Sequence, residues 1–89
     1  MRTVWKYELE MDLTTLPPLC NPDVLYIDHD PSGSPCAWVE HEPDQKPNTR
    51  VRIRMVGTGH TIQHDDGTYV GSLMQGPFVW HFYANGVKV

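Results

Sequence analysis

Apolar and polar residues alternate with a period of two along most of this chain, and no window sustains a 3.6-residue apolar repeat. From Thr3 to Met11, Trp5, Tyr7, Leu9 and Met11 fall on one face, with Lys6, Glu8 and Glu10 on the other. That is the pattern of a strand with one wet side. Between Leu13 and Leu19 the pair Pro17-Pro18 removes two ladder donors, so a short edge strand or an extended loop is expected. Asp23 to His29 reads as a strand, and Asp30-Pro31-Ser32-Gly33-Ser34-Pro35 as a turn. Cys36 to Glu42 follows as the second arm of a hairpin, with Cys36 and Trp38 on one face and Ala37 and Val39 on the other.

After a polar loop from Pro43 to Thr49, Arg50 to Val56 gives the cleanest alternation. Val51, Ile53 and Met55 point one way and Arg50, Arg52 and Arg54 the other. Gly57-Thr58-Gly59 breaks that strand. A brief extended piece is expected at Thr61 to Gln63, and a turn at His64 to Gly67. Strands from Tyr69 to Met74 and from Phe78 to Tyr83 follow, joined at Gln75-Gly76-Pro77. Asn85-Gly86 reads as a further turn before Val87-Lys88-Val89. The pattern predicts an all-β domain of six to seven short strands with little or no helix, a small antiparallel sandwich or barrel. Trp5, Trp38 and Trp80 are expected in its core. Tyr26 and Tyr83 fall on the second faces and are expected to form an exposed aromatic patch.

At 89 residues the chain suits one domain with one core, spanning 1–89. Two-lobed enzymes and doubly wound sheets are excluded by size. The aromatics (three Trp, four Tyr, two Phe) argue against disorder. The net charge of −4 is split unevenly. Residues 1–45 hold nine acids against Arg2 and Lys6, and residues 46–89 hold five bases against Asp65 and Asp66. An acidic total speaks against a nucleic-acid coat protein. No apolar run reaches transmembrane length and the first eleven residues carry Glu8 and Glu10, so the expected place is the cytoplasm, the host's if phage-encoded. Cys20 and Cys36 are then expected as thiols.

Candidate chemistry is sparse. Five histidines, including His60-x3-His64, lack the converging ligand pattern zinc requires, so no metal or cofactor is expected. Ser72 and the other hydroxyls and thiols lie in no nucleophile signature, so no catalytic residue is assigned. The candidate ligand-binding residues are Arg50, Arg52 and Arg54, whose guanidinium forks suit phosphate or carboxylate. Gly57, Thr58, Gly59 and His60 join them, since a Gly-rich turn can present backbone N–H groups to an anion. The plainer reading pairs the arginines across strands with Glu8 and Glu10, and gives the glycines to a bulge.

Five pieces, in order, carry a resemblance: Val4-Trp5-Lys6-Tyr7-Glu8-Leu9, Pro35-Cys36-Ala37-Trp38, Val56-Gly57-Thr58-Gly59-His60-Thr61-Ile62, Tyr69-Val70-Gly71-Ser72 and Phe78-Val79-Trp80-His81-Phe82. Together they resemble a family of short uncharacterised proteins of tailed bacteriophages, prophages and some bacteria, over roughly residues 4 to 82. The resemblance implies a phage or prophage origin and one small domain, and it implies no activity. The expectation is a small accessory protein that binds a host or phage macromolecule, without enzymatic activity, without a membrane and with a homodimer as one arrangement. The alternatives are a binder of a phosphorylated small molecule or nucleotide through the arginines and the Gly-Thr-Gly-His loop, and a structural, virion-associated protein.

Overall fold

The computed structural model describes residues 1–89 and contains seven strands and no helix. They are β1 (Thr3–Glu8), β2 (Leu13–Thr15), β3 (Asp23–His29), β4 (Pro35–His41), β5 (Thr49–Gly57), β6 (Thr68–Gln75) and β7 (Phe78–Lys88). They form a three-stranded sheet, β1-β4-β3, and a four-stranded sheet, β2-β5-β7-β6. Every neighbouring pair is antiparallel. Of the two expected architectures this is the sandwich. One apolar cluster joins the layers, with Ile27, Ala37 and Val39 from the smaller sheet against Val51, Ile53, Leu73 and Phe82 from the larger.

Register fixes which face each residue occupies, because residues opposite each other across a ladder share a face. In the larger sheet Ile53 opposes Ala84 and Met55 opposes Phe82, all inward. Arg52 therefore lies outward beside Asn85, and Arg54 beside Tyr83. In the smaller sheet Tyr7, Ala37 and Ile27 form an inward row. Lys6, Trp38 and Tyr26 form an outward row.

The layers meet closely where a Cβ on Gly71 would lie 3.0 Å from the Ile27 Cβ. They part at the other end of β3 and β6, where each strand carries a bulge, between Val24 and Tyr26 and between Tyr69 and Gly71. A cleft of about 480 Å³ opens there, lined by Val24, Val51, Val70 and Ala84 among others.

The connection from β5 to β6 shapes the outer face of the larger sheet. Both strands run antiparallel to β7, which lies between them, so residues 58–67 must travel back across it. They do so on the outer face. Thr58 touches His81, the Asp65 carbonyl accepts from Asn85 Nδ2 at 2.9 Å, and Asp66 accepts from Arg54. Val56, on that same face opposite His81, is only 6% exposed as a result.

Four expectations are corrected. Asn85-Gly86 is no turn: β7 runs through it to Lys88, because Gly86 opposes Val51 and Asn85 is held by Asp65. Thr61 to Gln63 form no strand, being part of the crossover. β1 ends at Glu8, and Met11 is 78% exposed because Asp12 turns the chain with a φ of 71°. Trp38 is not core, since its neighbours Ala37 and Val39 take the inward positions. Trp5 faces inward but overhangs the edge of the sandwich, 48% exposed, with its ring edge-on to His41 at 4.3 Å.

Candidate functional site

Three surfaces carry chemistry. The first is the outer face of the larger sheet, where the sequence placed its ligand candidates. Arg54 is committed within the protein. Its Nη1 donates to Asp12 at 2.9 Å and its Nε to Asp66 at 3.2 Å. Asp66 is 5% exposed and also accepts the Gln63 N–H at 2.7 Å. The hydrogen bond from Arg54 to Asp66, followed by that to Asp12, outweighs desolvation and raises the guanidinium pKa. Arg50 and Arg52 have no carboxylate within 4.0 Å. Glu8 and Glu10 are not the partners of the ladder, because β1 belongs to the other sheet.

At the far end of β5, Gly57 closes against its own loop. The His60 N–H donates to the Gly57 carbonyl at 3.0 Å, and a Cβ on Gly57 would lie 2.9 Å from the His60 ring and 3.2 Å from Trp80. Glycine at this position lets the imidazole fold back. Gly57, Thr58 and His60 line a cleft of about 420 Å³ together with Phe78 and Trp80. Arg54 does not line it, but shares a smaller cleft of about 240 Å³ with His60, Asp12 and Asp66, while Arg50 and Arg52 line neither.

Beside that loop runs a chain of hydroxyls joined by an imidazole. Tyr69 OH lies 2.7 Å from Ser72 Oγ, Ser72 Oγ 2.8 Å from His81 Nδ1, and His81 Nε2 3.0 Å from Thr58 Oγ1. Thr58 Oγ1 donates to the Val79 carbonyl at 3.3 Å. With its hydrogen so used, Thr58 accepts from His81 Nε2–H. Nδ1 then accepts from Ser72, and Ser72 accepts from Tyr69. The chain pins the start of the crossover to β6 and β7. Sequence reading missed it, because the Ser72–His81 register is set by the Val70 bulge, which no local pattern announces.

The second surface is the outer face of the smaller sheet, which nothing covers at its centre. Trp38 and Tyr26 sit side by side there with ring centroids 5.6 Å apart. Tyr26 is 54% exposed, and Val4, on the same face, 45%. Exposed Leu25 is the extra residue of the β3 bulge. The expected aromatic patch therefore divides: Tyr26 joins Trp38, whereas Tyr83 stacks edge-on with Tyr69 on the opposite sheet at 5.7 Å. The pattern did contain this surface. Once Ala37 and Val39 are inward, Trp38 between them must be outward.

Acids surround the aromatic row. Val4, Glu40 and Asp23 lie on one side of it, and Glu8, Cys36 and Asp28 on the other. Tyr26 OH donates to Asp28 Oδ2 at 2.6 Å, which is the main cause of an Asp28 pKa below its ordinary value and a Tyr26 pKa above its own. Lys6, in the row itself, is held by Asp30 at 3.1 Å. Asp30 also accepts from the Ser32 hydroxyl at 2.6 Å and from two loop N–H groups. The Ser32 hydroxyl and then Lys6 hold its carboxyl well below the usual carboxylate range. This loop closes over Cys36, whose thiol is fully buried and pushed up by that burial. Arg2 is occupied by Glu40 and Glu42.

The third surface is the cleft between the parted sheets. Its walls are valines and its rim is Asp23, Thr49, Thr68 and Asn85, with no basic side chain among the lining residues. Both cysteines are free thiols, and no His, Cys, Asp and Glu side chains gather in a group of three or more able to hold a metal ion. No helix is long and apolar enough to cross a membrane.

No curated protein and no solved structure matches the chain. The model of a family described as a domain of unknown function, DUF7352, matches residues 1–88, nearly the whole chain, and the protein therefore belongs to the DUF7352 family.

Proposed function

We propose that this domain is a non-enzymatic binding module, of the phage accessory type suggested by its sequence resemblance, that contacts a protein through the outer face of its smaller sheet. The observation that carries this reading is the Trp38–Tyr26 pair. An antiparallel sheet with one solvated side normally turns polar residues to water. Here the central solvated row holds Trp38 and Tyr26, with Val4 next to it on the same face. Aromatic residues flanked by polar groups are the common composition of protein contact surfaces.

The phosphate-ligand alternative draws less support. Arg54, the one arginine that shares a cleft with His60 of the Gly-Thr-Gly-His loop, is neutralised there by Asp12 and Asp66, and Arg50 and Arg52 line no cleft with that loop.

The test compares host-lysate partners captured by the wild type, by Tyr26→Ala, by Trp38→Ala and by Arg50→Ala/Arg52→Ala, each first shown to be folded by its melting transition. The expected result is a partner identified by mass spectrometry that binds the purified wild type, is lost from both aromatic variants and is kept by the arginine variant. Binding lost only from the arginine variant would overturn the proposal. A nucleotide panel in a thermal-shift assay addresses the alternative directly, because a one-site ligand at about 100 times its Kd adds roughly 2.7 kcal/mol.

A further inference from the structure

We infer that the partner segment recognised by this face is basic, rich in arginine or lysine. The inference rests on the proposed role of the Trp38–Tyr26 face and adds the chemistry of its occupant. The flanking rows place Glu40, Asp23, Glu8 and Asp28 around the aromatic pair, with Lys6 as the only cation in the three rows. That ammonium is already paired with Asp30. Arg2 reaches this side of the molecule but is spent on Glu40 and Glu42. Glu8, Asp23 and Asp28 have no arginine or lysine within 4.0 Å, and Asp28 has only Tyr26 OH, the His29 N–H and, at 3.9 Å, the His29 ring. An incoming acidic segment would face like charges. An incoming guanidinium meets carboxylates on both sides and a π-face between them, and Trp is the strongest such face. Long basic side chains also lay their methylene stems along apolar surface while their heads reach the acids.

The geometry suits an extended segment. Rows on a sheet face are separated by about 6.6–6.8 Å along a strand, the spacing of alternate side chains on a strand laid over it. Of side chains at alternate positions, the first and third would thus meet the Asp23 row and the Asp28 row, with the second over the aromatic row between them. The domain's own bases do not serve. Arg50 and Arg52 project from the opposite sheet, so a copy binding through them would make a head-to-tail contact, not a two-fold dimer of this face.

The test titrates an (Arg-Thr)5 decapeptide and a (Glu-Thr)5 decapeptide into the full chain at 50 mM and 300 mM NaCl, following tryptophan fluorescence and calorimetry. The arginine peptide is expected to bind, and the glutamate peptide is not. Binding is expected to weaken about tenfold between the two salt concentrations, as partly exposed charge pairs are screened. Asp23→Asn and Asp28→Asn should each weaken it about two- to fivefold, the range of an exposed pair. Tyr26→Ala should weaken it further, and Asp65→Asn, on the other sheet, should not. Equal binding of both peptides, no binding of either, or salt-sensitive self-association of the chain in place of peptide binding would overturn the inference. The reading of the face itself fails separately. A partner captured through Tyr26 and Trp38 that the arginine peptide does not displace leaves the face in place and removes only its basic specificity.

Discussion

Two glycines with nearly the same backbone conformation should respond very differently to alanine. Gly33 and Gly67 have φ values of +88° and +98°. A Cβ on Gly33, in the β3–β4 loop, would meet nothing within 4 Å, so Gly33→Ala carries only the conformational cost of a left-handed alanine, about 1–2 kcal/mol. Gly67 ends the crossover just before β6. Its Cβ would lie 2.0 Å from the Ala84 carbonyl oxygen and 2.6 Å from that carbonyl carbon. These are backbone atoms of the central ladder and cannot rotate aside. Relief requires a shift of over about 1 Å at the Thr68–Ala84 pair, breaking one or two ladder hydrogen bonds worth about 0.5–1.5 kcal/mol each. Gly67→Ala should therefore cost about 2–5 kcal/mol in all. A domain of this length has a total stability of about 4–13 kcal/mol. In urea unfolding, with a slope near 1.5 kcal/mol per M, Gly67→Ala should lower the midpoint by roughly 2 M and Gly33→Ala by about 1 M or less. Equal shifts for the two variants would refute the account of the crossover, because the steric difference is the whole of the argument.

Asp66→Asn should destabilise by about 2 kcal/mol, since a buried acceptor of two hydrogen bonds is weakened, whereas Asp12→Asn, at an 82% exposed carboxylate, should cost under about 0.5 kcal/mol; chemical denaturation distinguishes them. Asp30 has a folded pKa below its unfolded value, so its contribution is present above pH about 4 and lost as the pH falls through the folded value. Asp30→Asn should flatten the acid limb of a stability-against-pH curve and leave its alkaline side unchanged. Cys36, with no exposed surface and a raised thiol pKa, should resist iodoacetamide at pH 7.5 until the domain unfolds, and peptide mapping reads that directly.

The strands were largely legible because period-two alternation is a local signal, and β3, β4 and β5 fall within a residue or two of their expected limits. The miss at Asn85-Gly86 has a specific cause. Asn-Gly favours a turn only where the chain is free to make one, and here Thr49, Val51 and Asp65 hold the pair within β7. The pairing of the arginines could not be read, because it depends on which strands share a sheet. Glu8 and Glu10 have the right charge and lie in the wrong layer, while Asp12 and Asp66 reach Arg54 through a turn and a crossover. Alternation puts Trp38 on a face with apolar Cys36 and so predicts it in the core, but it does not say which face of β4 meets the other sheet, and Ala37 and Val39 take that side. The sandwich is too thin in residues to cover both faces of its smaller sheet, so one tryptophan is left at the surface.

The central claim is that the Trp38–Tyr26 face is where this domain meets its partner. The most direct measurement places a photo-crosslinking benzoylphenylalanine at position 4, within that face, or at position 50, on the arginine face, and irradiates both proteins in living cells. The account predicts one defined crosslinked product from position 4, lost on adding Tyr26→Ala, and none from position 50. A product from position 50 alone, or one from position 4 that survives Tyr26→Ala, would contradict it.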